Sequence, residues 1–103
     1  IVDHRTYTLH PGKLKAFVEL YGSQAWPLQQ QYLGDCVGWY TSMDIGQLNQ
    51  VVHMWRFKDL NDRAERRASM QADPAWTAYA EAAAPFIAHQ ENKILSAASF
   101  FKS

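Results

Sequence analysis

The sequence predicts an α+β domain whose elements run β-α-β-β-α-β around one four-stranded antiparallel sheet. Three observations predict it. Runs of β-forming residues alternate with segments of helical spacing. Two of the strand runs adjoin across a short loop containing Gly46, the mark of an antiparallel hairpin. The length of 103 residues is enough for one core and one domain.

Each element has a local cause. Val2 to His10 is rich in β-formers and stops at the turn pair Pro11-Gly12. Leu14, Phe17, Val18, Tyr21, Ala25 and Leu28 then form one helical stripe that keeps its phase through Gly22. Pro27 is expected to kink this helix, because its ring meets the carbonyl of Ser23. Gly34 ends the segment. Cys36 to Met43 and Gln50 to Lys58 read as the hairpin strands, joined by Asp44 to Asn49. Asp59 caps a helix that runs to about Ala72. Asp73-Pro74 splits this second helical segment, Asp as cap and Pro at the first helical position. Trp76, Tyr79, Ala80, Ala83, Phe86 and Ile87 are the stripe of the next helix, with Pro85 bending its last turn. Lys93 to Phe101 reads as the closing strand.

This is the ferredoxin-like order, with both helical segments crossing over one face of the sheet. The other face has no cover within the chain. On the third strand Val51, Trp55 and Phe57 point one way, and Val52 and Met54 the other. A sheet apolar on both faces requires a second layer, and a second copy of the chain is its simplest source.

Lys plus Arg equals Asp plus Glu, ten each, so there is no electrostatic footprint for nucleic acid. Arg63, Arg66 and Arg67, interleaved with Asp62 and Glu65, read as a solvated helix face. The single cysteine, Cys36, cannot close an internal disulfide. That favours a reducing compartment, and a cytoplasmic location is expected. No stretch approaches the roughly 20 apolar residues of a membrane span. No secretory leader is expected from the pattern, although the start at Ile1 without a Met is compatible with a short leader having been trimmed.

The segment Gly46-Gln47-Leu48-Asn49-Gln50-Val51-Val52-His53-Met54-Trp55-Arg56-Phe57 resembles the NIPSNAP pattern G-x-L-N-x-V-x-H-x-W-x-Y/F. Arg63, Arg67, Asp73-Pro74, Trp76, Tyr79, Pro85 and Glu91 to Leu95 continue the likeness, and Arg5 to Leu9 with Pro11-Gly12 opens it. Asp3 stands where the family often has Glu, and His4 where it often has an aliphatic residue. The resemblance implies a dimeric α/β barrel, two four-stranded sheets face to face with helices outside. That superfamily includes monooxygenases, isomerases, cyclases and haem-handling enzymes, and also proteins without known activity. The family itself brings no general reaction, so fold likeness does not give function. The links of its eukaryotic members to mitochondria and protein partners make an interaction module a reasonable alternative.

His53 is the leading candidate for chemistry. Among apolar neighbours its imidazole is expected to stay neutral, as a candidate general base or as a buried ring bonded to a carbonyl or a Tyr hydroxyl. Arg63 and Arg67, one turn apart, share a side of their helix with Leu60, Ala64, Met70 and Gln71. They either pair with Asp73, Glu91 or strand-end carbonyls, or grip the anionic group of a ligand. Tyr7, Trp39, Trp55, Trp76 and Tyr79 read as core or as pocket walls. Glu91-Asn92 reads as an ion-pair partner and helix cap, or Glu91 as an acid partner for His53.

No metal site is expected. His4 and His10 lie about 20 Å apart along one strand, and no Cys or His pair has ligand spacing. No nucleotide-cofactor motif is present, and no cofactor is expected. Haem enters only through the wider superfamily. Two functions follow, beside a third reading as a haem or quinone handler. One is a homodimer that binds or transforms a small aromatic or anionic metabolite in a pocket between helices and sheet. The other is a structural or protein-interaction module without turnover.

Overall fold

The computed structural model describes residues 1–101. Strands β1 (Val2–Leu9), β2 (Asp35–Thr41), β3 (Gln50–Arg56) and β4 (Ile87–Leu95) form one antiparallel sheet in the spatial order β2-β3-β1-β4. β1 and β3 are therefore central, and the ferredoxin-like order is realised. Period-two alternation on β3 places Val51, His53 and Trp55 in the core, while Gln50, Val52, Met54 and Arg56 turn away.

The first crossover contains α1 (Leu14–Leu20) and α2 (Trp26–Tyr32), joined by a π-helical turn at Tyr21–Ala25. Pro27 explains the turn. Its ring forbids an undisturbed α-helix, so the chain inserts one wide turn in which the Trp26 N–H donates to the Tyr21 carbonyl. Pro27 then falls in the first turn of α2, where a missing N–H costs nothing. The expected kink is thus a π turn, and it keeps both Tyr21 and Ala25 buried.

The second crossover contains α3 (Leu60–Gln71) and α4 (Pro74–Ala83). Asp59 accepts from the Asp62 N–H at 2.8 Å, and Asp73 accepts from the Ala75 N–H at 2.9 Å. Both caps agree with the sequence. The Tyr32 hydroxyl donates to Asp73 at 2.7 Å, which ties α2 to the break between α3 and α4. Leu60, expected on the inner side of its helix, is exposed. A 3₁₀ turn at Ala84–Phe86, containing Pro85, ends the segment.

Two core clusters lie between sheet and helices. Tyr7, Leu9, Phe17, Tyr21, Ala25, Val51, Tyr79 and Ala83 form one. Leu33, Trp55, Phe57 and Met70 form the other, and Trp26 and Trp76 pack against both.

β4 corrects the expected closing strand, Lys93 to Phe101. It starts at Ile87, directly after the 3₁₀ turn, and ends at Leu95. Pairing sets the limit, since Leu95 stands opposite Val2, the first residue of β1. Beyond it β1 offers no backbone to bond. Glu91 and Asn92 therefore lie in mid-strand, opposite Thr6 and Arg5, and cap no helix.

The second sheet face carries Val2, His4, Thr6, Val52 and Met54, with Tyr40 and Leu95 exposed beside them. The Tyr40 ring lies against Gly38, where a Cβ would stand 2.5 Å from its Cε2. No described element of the chain covers this face.

Candidate functional site

His53 sits at the centre of the covered face, fully buried. Trp39 of β2 stacks on it with ring centroids 5.6 Å apart. Tyr7 of β1 meets it edge-on at 5.1 Å, and Tyr21 of the π turn at 5.6 Å. Tyr21 also packs on Trp39 at 4.7 Å and on Tyr79 of α4 at 6.0 Å. Strand alternation and the π turn together build this aromatic cage.

The Trp55 indole N–H donates to His53 Nδ1 at 2.8 Å. An indole nitrogen only donates, so Nδ1 accepts and the neutral ring carries its proton on Nε2. Burial first, and then the Arg5 charge, push the His53 pKa down to about 3. The ring is therefore neutral at pH 7, as expected. Its free nitrogen is a donor, however, and acting as a general base would first require losing the Trp55 bond.

Several buried polar atoms in this region have no hydrogen-bond partner among the described residues: His53 Nε2, Trp39 Nε1, the Tyr21 hydroxyl and Gln29 Oε1. Burial raises the Tyr21 hydroxyl far above its ordinary pKa; the Trp39 indole N–H, turned toward the phenol oxygen without a well-formed bond, works against that rise, and Tyr21 remains a neutral phenol whose own proton is free to donate. Tyr21 and Gln29 border a cavity of about 140 Å³, closed further by Tyr7, Trp76, Tyr79 and Gln90. On the other side of Tyr21 an apolar cleft of about 180 Å³ is lined by Val18, Trp26 and Trp39. Of the expected walls, Tyr7 borders the cavity, Trp39 the cleft, and Trp55 neither. His53, Arg63 and Arg67 border neither.

A second polar group occupies the start of β1. Asp3 is buried, and its Oδ2 accepts from Arg5 Nη1 and from Arg63 Nε, each at 3.0 Å. Asn92 Nδ2 reaches Oδ1 at 3.4 Å, and Arg5 Nε donates to the Tyr7 hydroxyl at 3.1 Å. Burial alone would raise the Asp3 carboxyl, but Arg5 and Arg63 overcome it and hold it below its ordinary value. Arg63 thus pairs with Asp3 rather than with Asp73 or Glu91. Arg67 is half-buried and takes no hydrogen bond or ion pair among the described residues. Arg66 pairs with Asp62 at 2.8 Å on the outer flank, as a solvated helix face would.

Glu91 lies on the opposite sheet face from His53, exposed, with its carboxylate 4.0 Å from His89. It cannot serve His53 as an acid partner. Cys36 is half-buried, and burial raises its thiol, which suits packing. Sequence reasoning missed Asp3, Arg5, Tyr21, Gln29 and Asn92. Asp3-x-Arg5-x-Tyr7 carried a usable signal, since period two puts all three on the covered face. Among the described residues no three His, Cys, Asp or Glu side chains could hold a metal ion. No described helix is long and apolar enough to cross a membrane.

The sheet order and its two crossovers define an α+β protein of the ferredoxin-like kind. A Nitrosomonas europaea protein named for antibiotic biosynthesis monooxygenases has this fold, with a TM-score of 0.68 at 14% identity over 93% of this chain and 96% of its own. At that identity the likeness concerns fold alone. The NIPSNAP family profile matches residues 2–102, and the chain belongs to the NIPSNAP family. A NIPSNAP family protein of unknown function from Agrobacterium tumefaciens is 38% identical, with a TM-score of 0.91 over 97% of this chain and 89% of its own. A NipSnap protein of Caenorhabditis elegans is 29% identical over 99 residues, 93% of this chain. The match spans only 18% of that protein's length.

Proposed function

We propose that this domain binds a small molecule about the size of one aromatic ring, in the cavity between Tyr7, Tyr21, Gln29, Trp76, Tyr79 and Gln90, and that it acts as a homodimer. One observation carries the binding reading: among the described residues the Tyr21 O–H has no acceptor and Gln29 Oε1 no donor, and both residues border one aromatic-walled cavity. Each such orphan costs about 1–3 kcal/mol. A ligand offering a donor to Gln29 and an acceptor to Tyr21 removes both costs. The volume of about 140 Å³ suits a single ring, since an apolar cavity of about 150 Å³ accommodates benzene. Phenol has the size and both functions, which makes it a suitable probe.

Titration of the protein with phenol, followed by amide correlation spectra, tests the reading. Saturable shifts centred on Tyr21, Gln29 and Tyr79 are expected. Gln29→Met should weaken binding about tenfold, the equivalent of one hydrogen bond. Unchanged affinity in that variant, or no saturable shift in the parent, removes the proposal.

The dimer reading rests on the half-buried Val2, Val52 and Met54 of the uncovered sheet face. Met54→Lys should turn a sedimenting dimer into a monomer. A parent chain that sediments as a monomer at micromolar concentration ends it. A non-catalytic interaction module is the second reading. The loop between β2 and β3 favours it, because Met43 and Ile45 are 91% and 95% exposed there. A bare cavity with no phenol binding shifts weight to that loop.

A further inference from the structure

The arginine cluster holds a charge imbalance that the cavity does not use. Among the described residues Asp3 is the one carboxylate beside Arg5, Arg63 and Arg67, and a single oxygen of it serves both Arg5 and Arg63. One negative charge against three positive ones leaves a local excess of two. Nearby acids are committed elsewhere or face away. Asp62 accepts from Arg66 and from the Lys58 N–H, and Asp73 from Tyr32 and the Ala75 N–H. Glu91 is on the other sheet face. Glu65 lies two residues from both Arg63 and Arg67, about 200° around the helix, and is exposed.

Arg67 bears the consequence. Burial disfavours its charge, and Arg5 and Arg63 add repulsion that Asp3 does not cancel. A structural arginine is normally placed beside its counter-charge, because a desolvated unpaired guanidinium is costly. This one is half-buried, so solvent still reaches it. β4 adds two neutral donors to the same sheet face, the side-chain amides of Gln90 and Asn92, opposite Tyr7 and Arg5 in the β1–β4 register. No helix buries them, as β4 is exposed from Ala88 to Leu95.

We propose that Arg67, with Arg5 and Arg63 beside it, seats a small oxyanion, the carboxylate or phosphate group of a small molecule. A planar guanidinium binds such a group with two parallel N–H donors. Arg63 Nε and Arg5 Nη1 are already spent on Asp3. Arg67 is therefore the anchor, and its two companions supply field and pre-position Asp3. This seat is independent of the phenol cavity, and its probes carry no ring.

Thermal melting of the intact chain tests the seat. Inorganic phosphate and, separately, acetate are titrated against sodium chloride at matched ionic strength. A saturable rise of about 5 °C is expected for at least one of them. Phosphate alone identifies a phosphate seat, acetate alone a carboxylate seat, and a response to both an unselective oxyanion seat. In Arg67→Gln the rise should vanish, while the melting temperature in chloride stays equal or climbs, because a repelled charge has been removed. Arg66→Gln, on the solvated flank, should keep the full response. An equal rise in Arg67→Gln and the parent overturns the seat. So does a parent that answers to neither anion, or an Arg67→Gln chain that melts well below the parent in chloride.

Discussion

The two ends of the covered sheet face bury polar groups in opposite ways. At the Asp3 end the carboxylate is enclosed by Arg5, Arg63 and Asn92, all within bonding distance. At the Tyr21 end, Tyr21, Gln29, Trp39 and His53 each bury one polar atom without a hydrogen-bond partner among the described residues. The two ends differ in whether their buried polar atoms are bonded. A satisfied buried group makes removal costly, whereas an orphan makes removal cheap or favourable. Substitutions of similar size should therefore differ in sign between the two ends.

The largest effect is expected from Asp3→Asn. The change keeps the shape but strips the counter-charge from two guanidiniums, whose side chains are only 14% and 23% exposed. Loss of one partner of a buried pair costs about 3–5 kcal/mol, and the remaining solvent contact places this one at the low end, about 3 kcal/mol. Urea unfolding at pH 7 measures it. A loss below about 1 kcal/mol would mean that the Asp3 end is no better satisfied than the other.

The next effect is a pH dependence centred on His53. The folded pKa is about 3, against 6.5 for the free side chain. The unfolded chain thus binds the extra proton first as pH falls. The stabilising contribution is complete above about pH 6.5 and is lost progressively down to about pH 3. Between pH 7.5 and 5 the loss should be about 2 kcal/mol, at about 1.4 kcal/mol per unit below 6.5. Asp3 contributes to a separate window. Its folded pKa is lowered, so its contribution stands above about pH 4 and is lost as pH falls through the folded value. His53→Gln should flatten the slope between pH 7.5 and 5. A slope that survives the substitution assigns it to another group.

The sequence made the central strands and the helix starts readable, because their causes are local. Gln50 to Arg56 alternates with period two, and Asp59 and Asp73-Pro74 bond to N–H groups two or three residues on. β4 was misplaced because no helix covers it. A strand exposed almost throughout needs no apolar alternation, and its limits come from register against β1. The Asp3 cluster was hidden for another reason. Its partners Arg63 and Asn92 lie 60 and 89 residues away along the chain. Tyr21 showed its stripe position, but not the cavity, which depends on the π turn and on α4 at once.

The smallest effect separates the two ends most sharply. Tyr21→Phe deletes an orphan hydroxyl and leaves the ring to pack on Trp39 and His53. Stability should stay level or rise by up to about 1 kcal/mol, since an unbonded polar atom leaves the core. Phenol affinity should fall in the same variant, because Tyr21 then has no hydroxyl to offer. Stability gained together with binding lost is the pattern of a group kept for a ligand rather than for the fold. A loss above about 1 kcal/mol would show that the hydroxyl has a stabilising partner in solution. The Tyr21 end would then resemble the Asp3 end, and the cavity would lose its strongest claim to a ligand.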